Sequence, residues 1–214
     1  MEAAGLLASL DGSASEVAQV VALLGAAGCD EPERLRVGEG DRRLLALYGS
    51  LTGDVLEVLA ECPGCGELCE ARLDPAQLPP ASERVAVLGR GGGLREPTYA
   101  DLLDLPGDPA QAVRELCSRC VVGSPSRTPE AGDLELVDGS LAGPIVIACS
   151  GCGEPIALDV DVEQLVLERL VRRAHEIDRE IHVLARAYHW SLAEIESLGD
   201  ERRRALAELV EEAS

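Results

Sequence analysis

One short pattern, Cys-x-x-Cys-Gly-Glu, occurs twice in this chain at an offset of 87 residues, and it constrains the fold more than any other feature. Aligned on that offset, "ECPGCGELCEARLDPAQL" (Glu61 to Leu78) and "ACSGCGEPIALDVDVEQL" (Ala148 to Leu165) agree at eight of eighteen positions. Apolar and polar residues alternate on both sides of each Cys turn, in "DVLEVLAECPGCGELCEARLD" and in "GPIVIACSGCGEPIALDVD", which predicts two β-hairpins. Each copy then reads as strand, turn, strand and an acidic residue that opens a helix. Two residues between the cysteines let both sulfurs converge on a metal at about 2.3 Å, and the following Gly permits the turn. Two such knuckles facing one another supply the four thiolates of a structural zinc site: Cys62, Cys65, Cys149 and Cys152. With no open fourth position, the ion's binding energy would belong to folding. The competing reading is a pair of unmetallated hairpins with buried thiols. Redox catalysis fits less well, because dithiol motifs open helices whose dipole lowers the thiol pKa, whereas "GELCEARLD" continues as a strand.

The other four cysteines are less committed. Cys69 aligns with Ile156 and reads as a strand residue. Cys117 and Cys120 share a helical face with Val113 and Leu116 in "DPAQAVRELCSRCV", which favours packing. A second metal site built from Cys29, Cys69, Cys117 and Cys120 stays open.

Around the knuckles the chain divides into three regions. Residues 1–50 read as N-terminal helices, with Ser15 capping "EVAQVVALLGAAG" and "DRRLLALYG" forming a short helix that ends on Gly49. Residues 51–161 hold the zinc-stapled hairpins, with the candidate strand "RVAVL", the capped turn "PTYADLLDL", the cysteine-bearing helix, and an exposed loop from Ser124 to Gly132. "GRGGGLREP" fails the dinucleotide fingerprint, since Leu94 stands where the last Gly belongs and Pro97 blocks a helix, so a flexible loop is expected there. Residues 162–214 form a long C-terminal helical arm capped by Asp161. Along it Leu167, Leu170, Ala174, Ile177, Ile181, Leu184 and Tyr188 follow a 3,4 spacing. A helix of that length is roughly 40 Å long, so part of this seam should meet another chain or the terminal helices. An ordinary amphipathic helix packed within its own domain is the equal alternative. His175, His182 and His189 recur every seven residues, about 10 Å apart, which suits interface or packing roles and excludes a shared metal. A capping box at Ser191 and Glu194, a stop at Gly199 and a helix capped by Asp200 complete the chain.

Composition removes several function classes. Against 39 acidic residues stand 19 basic ones, all Arg, for a formal charge of -20. Nucleic-acid binding needs a cationic face that only Arg202 to Arg204 approach, so a helix-turn-helix reading of the C-terminus is disfavoured. Three Tyr, one Trp and no Phe leave the core to Leu, Val and Ala, which makes metal or partner support valuable. The first residues lack a signal-peptide pattern and no run is long enough for a membrane span, so reduced cysteines in a cytoplasmic protein are expected. No nucleophile elbow, paired carboxylate motif or phosphate loop is present, and the expectation is that the chain is not an enzyme.

The order of "LRVGEGDRRLLALYGSLTGDVLEVLAECPGCGE", "REPTYADLLDL", "CSGCGEPIALDVDVEQL" and "REIHVLARAYHWSLAEIESL" resembles the T-even-phage baseplate protein family as it occurs in contractile injection system gene clusters. The most specific part joins Glu180-Ile181-His182, Tyr188-His189-Trp190-Ser191 and Glu194-Ile195 to the two knuckles, and the likeness covers residues 35–210. The loop "SPSRTPEAG" and the additional Cys29 and Cys69 depart from the family pattern. The resemblance implies a structural or assembly component of the baseplate or hub of a phage-tail-like particle, in contact with other baseplate, hub or spike proteins within a hetero-oligomeric assembly. Together these readings give an α+β protein: a zinc-ribbon-like pair of hairpins, N-terminal helices, and a C-terminal arm with Ile181, His182, Leu184, Tyr188 and Trp190 at a partner interface. The competing function is an independent zinc-ribbon adaptor in transcription or protein quality control.

Overall fold

Ser15 opens the first helix as its sequence predicts: its Oγ accepts the Ala18 N–H at 3.3 Å, and α1 runs Glu16–Ala26. The structure is a computed structural model that describes residues 15–78 and 84–212. Residues 1–14 of the expected N-terminal helical region therefore lie outside it. The second helix differs from expectation: α2 runs Val37–Thr52, starting before Asp41 and passing through Gly49 to stop at Gly53, whose φ is 77°. Gly38 and Gly40 make its first turn a poor helix by propensity, but tertiary contact demands them. A Cβ on Gly38 would lie 1.9 Å from the Gly139 carbonyl oxygen, and one on Gly40 would lie 2.1 Å from the Tyr99 hydroxyl. α1 packs on α2, with Val20, Leu23 and Leu24 on one side and Leu44, Leu45 and Tyr48 on the other all buried.

Both expected hairpins form. β1 (Leu56–Glu61) pairs antiparallel with β2 (Leu68–Leu73), and β6 (Gly143–Ala148) pairs likewise with β7 (Pro155–Val160). The helix expected after the first knuckle does not form. Asp74 instead closes a turn in which its Oδ1 accepts the Ala76 N–H at 2.9 Å. Pro79 and Pro80 follow, and a proline drives the residue before it out of helical conformation.

Between the hairpins, β3 (Val85–Val87), β4 (Gly92–Arg95) and β5 (Val121–Gly123) form a three-stranded antiparallel sheet with β4 in the middle. Within the glycine-rich segment expected to be a flexible loop, Gly92–Arg95 is thus a central strand, and Gly89 to Gly91 make the turn that leads into it. Leu94 explains why: it is fully buried with Ala86, Leu88, Cys120 and Val137, and its neighbour Gly93 approaches Ala86 so closely that a Cβ would sit 2.3 Å from that carbonyl oxygen. α4 (Pro109–Cys120) and α5 (Ala131–Val137) pack on this sheet, and α3 (Tyr99–Leu102) packs on α4.

α3 and α5 share a construction. Arg95-x-Pro-x-x-Ala-Asp101-Leu and Arg127-x-Pro-x-x-Gly-Asp133-Leu repeat one pattern at an offset of 32 residues. In each, the Arg forks onto the Asp, with Nη1 to Oδ2 at 2.6 Å in the first copy and 2.7 Å in the second. The same Oδ2 accepts the N–H of the helix-capping residue, Thr98 or Glu130, at 2.8 Å. Burial opposes ionisation of Asp101, but Arg95 and the Thr98 N–H and hydroxyl outweigh it and hold its carboxyl below the usual range.

α6 runs Val162–Tyr188, opening where Asp161 Oδ1 accepts the Gln164 N–H at 3.1 Å. One compact unit ends at Leu167 and a second begins at Glu168. In the second unit α6 is joined by α7 (Leu192–Glu196) and α8 (Asp200–Glu212) around Leu184, Ile195 and Ala207. The Ser191/Glu194 capping box is present. Asp200 lies inside α8, one residue past the Gly199 carbonyl that accepts the Arg203 N–H. Glu180 is buried between two arginines, accepting from Arg173 Nη1 and Arg203 Nε, each at 2.8 Å. The fold is therefore α+β, built of mixed helices and small antiparallel sheets. No helix among the described residues is long and apolar enough to cross a membrane.

Candidate metal centre

The two knuckles are built the same way. In the first, the Cys62 N–H donates to the Glu67 carbonyl at 2.8 Å and the Gly66 N–H donates to the Cys62 carbonyl at 2.9 Å; in the second, Cys149 with Glu154 and Gly153 with Cys149 make the same bonds at 2.9 Å. The closing glycines have φ of 76° and 78°, the left-handed conformation that costs a side-chain-bearing residue energy. Each knuckle also faces the other in the same manner. Gly64 lies against Glu154 and the Cys152 sulfur, and Gly151 lies against Glu67 and the Cys65 sulfur, so the sequence repeat becomes an approximate two-fold pairing.

This pairing brings Cys62, Cys65, Cys149 and Cys152 together, with all four sulfurs within 4.8 Å of one another. Cys62 and Cys152 are 3.7 Å apart and Cys65 and Cys149 are 3.6 Å apart, far beyond a disulfide bond of about 2.05 Å. Four thiolates at about 2.3 Å from a tetrahedral centre would be separated by roughly 3.8 Å. The observed spacing therefore suits four ligands around one metal ion. Cys62 and Cys149 are buried while Cys65 and Cys152 reach the surface, giving the site one sheltered side and one open to ion entry.

The surroundings favour thiolate at one position in particular. Cys149 is held down to about 6, chiefly by the Cys152 N–H and then by the Gly151 N–H, with burial opposing. The Gly151 nitrogen lies 3.3 Å from the Cys149 sulfur. At Cys65 the Glu67 N–H favours the thiolate, but the neighbouring Cys152 and Cys149 thiols outweigh it and push the group up to about 12. Four thiols this close cannot all ionise without a cation, and a divalent ion supplies the missing charge.

No protein-family model, curated protein or solved structure matches this chain.

The remaining sequence candidates fall in different places. Cys69 is a buried strand residue beside Ile156, as its alignment suggests, and its sulfur stands 3.7 Å from that of Cys149. Cys120 belongs to the core under the three-stranded sheet, and Cys29 accepts from Arg43 beyond the end of α1. Cys29, Cys69, Cys117 and Cys120 are not brought together as a second ligand set; among the described residues only the knuckle cysteines converge. On α6, Leu184 is fully buried and Ile181 packs beside it, as does Trp190 just past the helix end, whereas His182 and Tyr188 are exposed. Tyr188 stacks on Trp190 with ring centroids 4.7 Å apart. His175 and His189 are exposed as well. What sequence reading passed over is the cluster around Asp41, Tyr99 and Glu163; the pattern Gly38-x-Gly40-Asp41, an acid beside two glycines in a helix, was its available signal.

Proposed function

We propose that this chain is a structural or assembly component of the baseplate or hub of a phage-tail-like contractile particle, with a structural zinc stapling its two hairpins into a ribbon-like core. The observation that carries the metal reading is the convergence of four sulfurs from two matching knuckles at 3.6–3.7 Å pair distances. A tetrahedral set of four thiolates selects zinc over hard cations and leaves no coordination position for a water or a substrate, which fits a staple better than a catalyst. The staple joins segments more than eighty residues apart, so its binding energy holds the two hairpins in register. The particle assignment rests on the sequence resemblance over residues 35–210, and the charge of -20 favours partners with basic or apolar docking faces. On this reading the C-terminal helices form the docking arm, and exposed His182 and Tyr188 are the side chains available to a partner.

Elemental analysis of protein purified without chelator should give one zinc per chain, and Cys149→Ser should abolish it. A metal-free protein whose circular dichroism and melting temperature are unaffected by chelator would overturn the staple. Affinity purification from cells carrying the neighbouring genes should recover sheath, tube or spike proteins; recovery of a free monomer alone would overturn the particle assignment.

A further inference from the structure

In the unit ending at Leu167, a cavity of about 300 Å³ opens between α2, the segment from Asp138 to Ala142, and the start of α6. Its wall is mainly apolar and includes Leu102, Leu116 and Leu134. Every charged residue on it is acidic: Asp41, Glu135, Asp138, Asp161 and Glu163. Asp41 is only 1% exposed; its Oδ2 accepts the Leu141 N–H at 2.6 Å, and apart from a proton shared with Glu163 its Oδ1 has no donor. Its polar neighbour is a second acid, Glu163, whose Oε1 already accepts the Tyr99 hydroxyl at 2.7 Å. Two carboxyls in contact in a buried place cannot both ionise cheaply and require either a shared proton or a cation. Arg42, next to Asp41 in the chain, directs its Nη1 to the Gly38 and Gly139 carbonyls.

We propose that this cavity binds a small free aliphatic ammonium, whose head pairs with Asp41 and Glu163 and whose chain lies along Leu102, Leu116 and Leu134. The three N–H donors of a primary ammonium replace the shared proton between Asp41 and the Glu163 carboxylate, whereas a quaternary ammonium offers none. A divalent metal suits the site poorly: among the described residues only the knuckle cysteines converge closely enough to ligate an ion, and an inorganic ion would leave the leucine wall unfilled. The volume is at the small end for ligand pockets, which limits the chain to a few carbons.

A proton and the ammonium compete for the same place. Burial pushes Asp41 up to about 8 against the opposing Leu141 N–H, and the charges of Glu163 and Asp161 push the same way. At neutral pH the Asp41–Glu163 pair therefore holds a proton, which binding releases to the buffer. Glu135 and Asp138, from α5 and its end, line the same cavity, and Tyr99 from α3 donates to Glu163; none of these is cationic.

The test is calorimetric titration of the full chain with n-butylammonium at about pH 7, in two buffers of different ionisation enthalpy. Saturable one-site binding is expected, with up to one proton released per amine and no release at about pH 9. Tetramethylammonium and the Asp41→Asn variant should each bind at least about tenfold more weakly. Circular dichroism checks that Asp41→Asn folds; Glu163→Gln, whose carbonyl still accepts from Tyr99, serves as the second variant. No saturable binding to the wild type, or undiminished binding to both folded variants, would overturn the proposal. Equal or tighter binding of Nα-acetyl-lysine amide would move the site to a protein's lysine side chain and overturn the free-amine assignment.

Discussion

Gly40→Ala tests how α2 is held against α3. The added Cβ would lie 2.1 Å from the Tyr99 hydroxyl oxygen and 2.3 and 2.5 Å from two of its ring carbons, where ordinary contact begins at 3.4 Å. The ring must retreat by more than an ångström, yet Tyr99 is fully buried and its hydroxyl donates to Glu163 at 2.7 Å. Overpacking of this kind costs about 1–3 kcal/mol. Losing a hydrogen bond to a charged acceptor costs about 1.5–3 kcal/mol more. Replacing Gly with Ala in a helix returns roughly 1 kcal/mol. The expected net destabilisation is about 3 kcal/mol, read by urea denaturation monitored by circular dichroism. The informative comparison is a double-mutant cycle. With Tyr99→Ala already in place, the clash has no partner, and Gly40→Ala should become neutral or stabilising by up to about 1 kcal/mol. Equal costs in the two backgrounds, or a change below about 0.5 kcal/mol in the wild type, would refute the reasoning.

Two further outcomes follow from buried charge. Glu180→Ala leaves Arg173 and Arg203 buried without their shared carboxylate, so the unit beginning at Glu168 should lose about 3–5 kcal/mol, measured by hydrogen exchange of α6 and α8 amides. Asp101 is held below the usual carboxylate range when folded, so the unfolded chain takes up this proton first as pH falls. Its contribution is full above the unfolded pKa of about 4 and is lost below it; wild-type stability should therefore fall more steeply with acidification than that of Asp101→Asn, as followed by melting temperature against pH.

Local chemistry was readable in the sequence where one residue type in one position suffices. Ser15, Ser191 with Glu194, and Asp161 each mark a helix start because capping needs only a short polar side chain beside free N–H groups. The hairpins and the four knuckle cysteines were readable because a period of two and a repeated turn are local patterns, and the repeat itself indicated that the copies would face one another. Where prediction failed, a distant partner overruled local propensity. Gly38 and Gly40 open a helix because Gly139 and Tyr99 press against them, and Gly92–Arg95 is a central strand because Leu94 has a core to enter. The shared clamp of Arg95 with Asp101 and Arg127 with Asp133 was written in the sequence, but a charged pair six apart, from a strand end or loop to a short helix, carries no periodic signal.

By itself, then, the sequence determined the α+β class, the positions of the caps and hairpins, and the identity of four convergent sulfurs. Only the tertiary structure decided that Asp41 and Glu163, 122 residues apart, line one cavity, and that Leu184 is buried among α6, α7 and α8. The physical reason is the range of the interactions. Caps and turns are settled within a few residues of chain, whereas burial and the facing of two carboxyls depend on packing that no short stretch of sequence specifies.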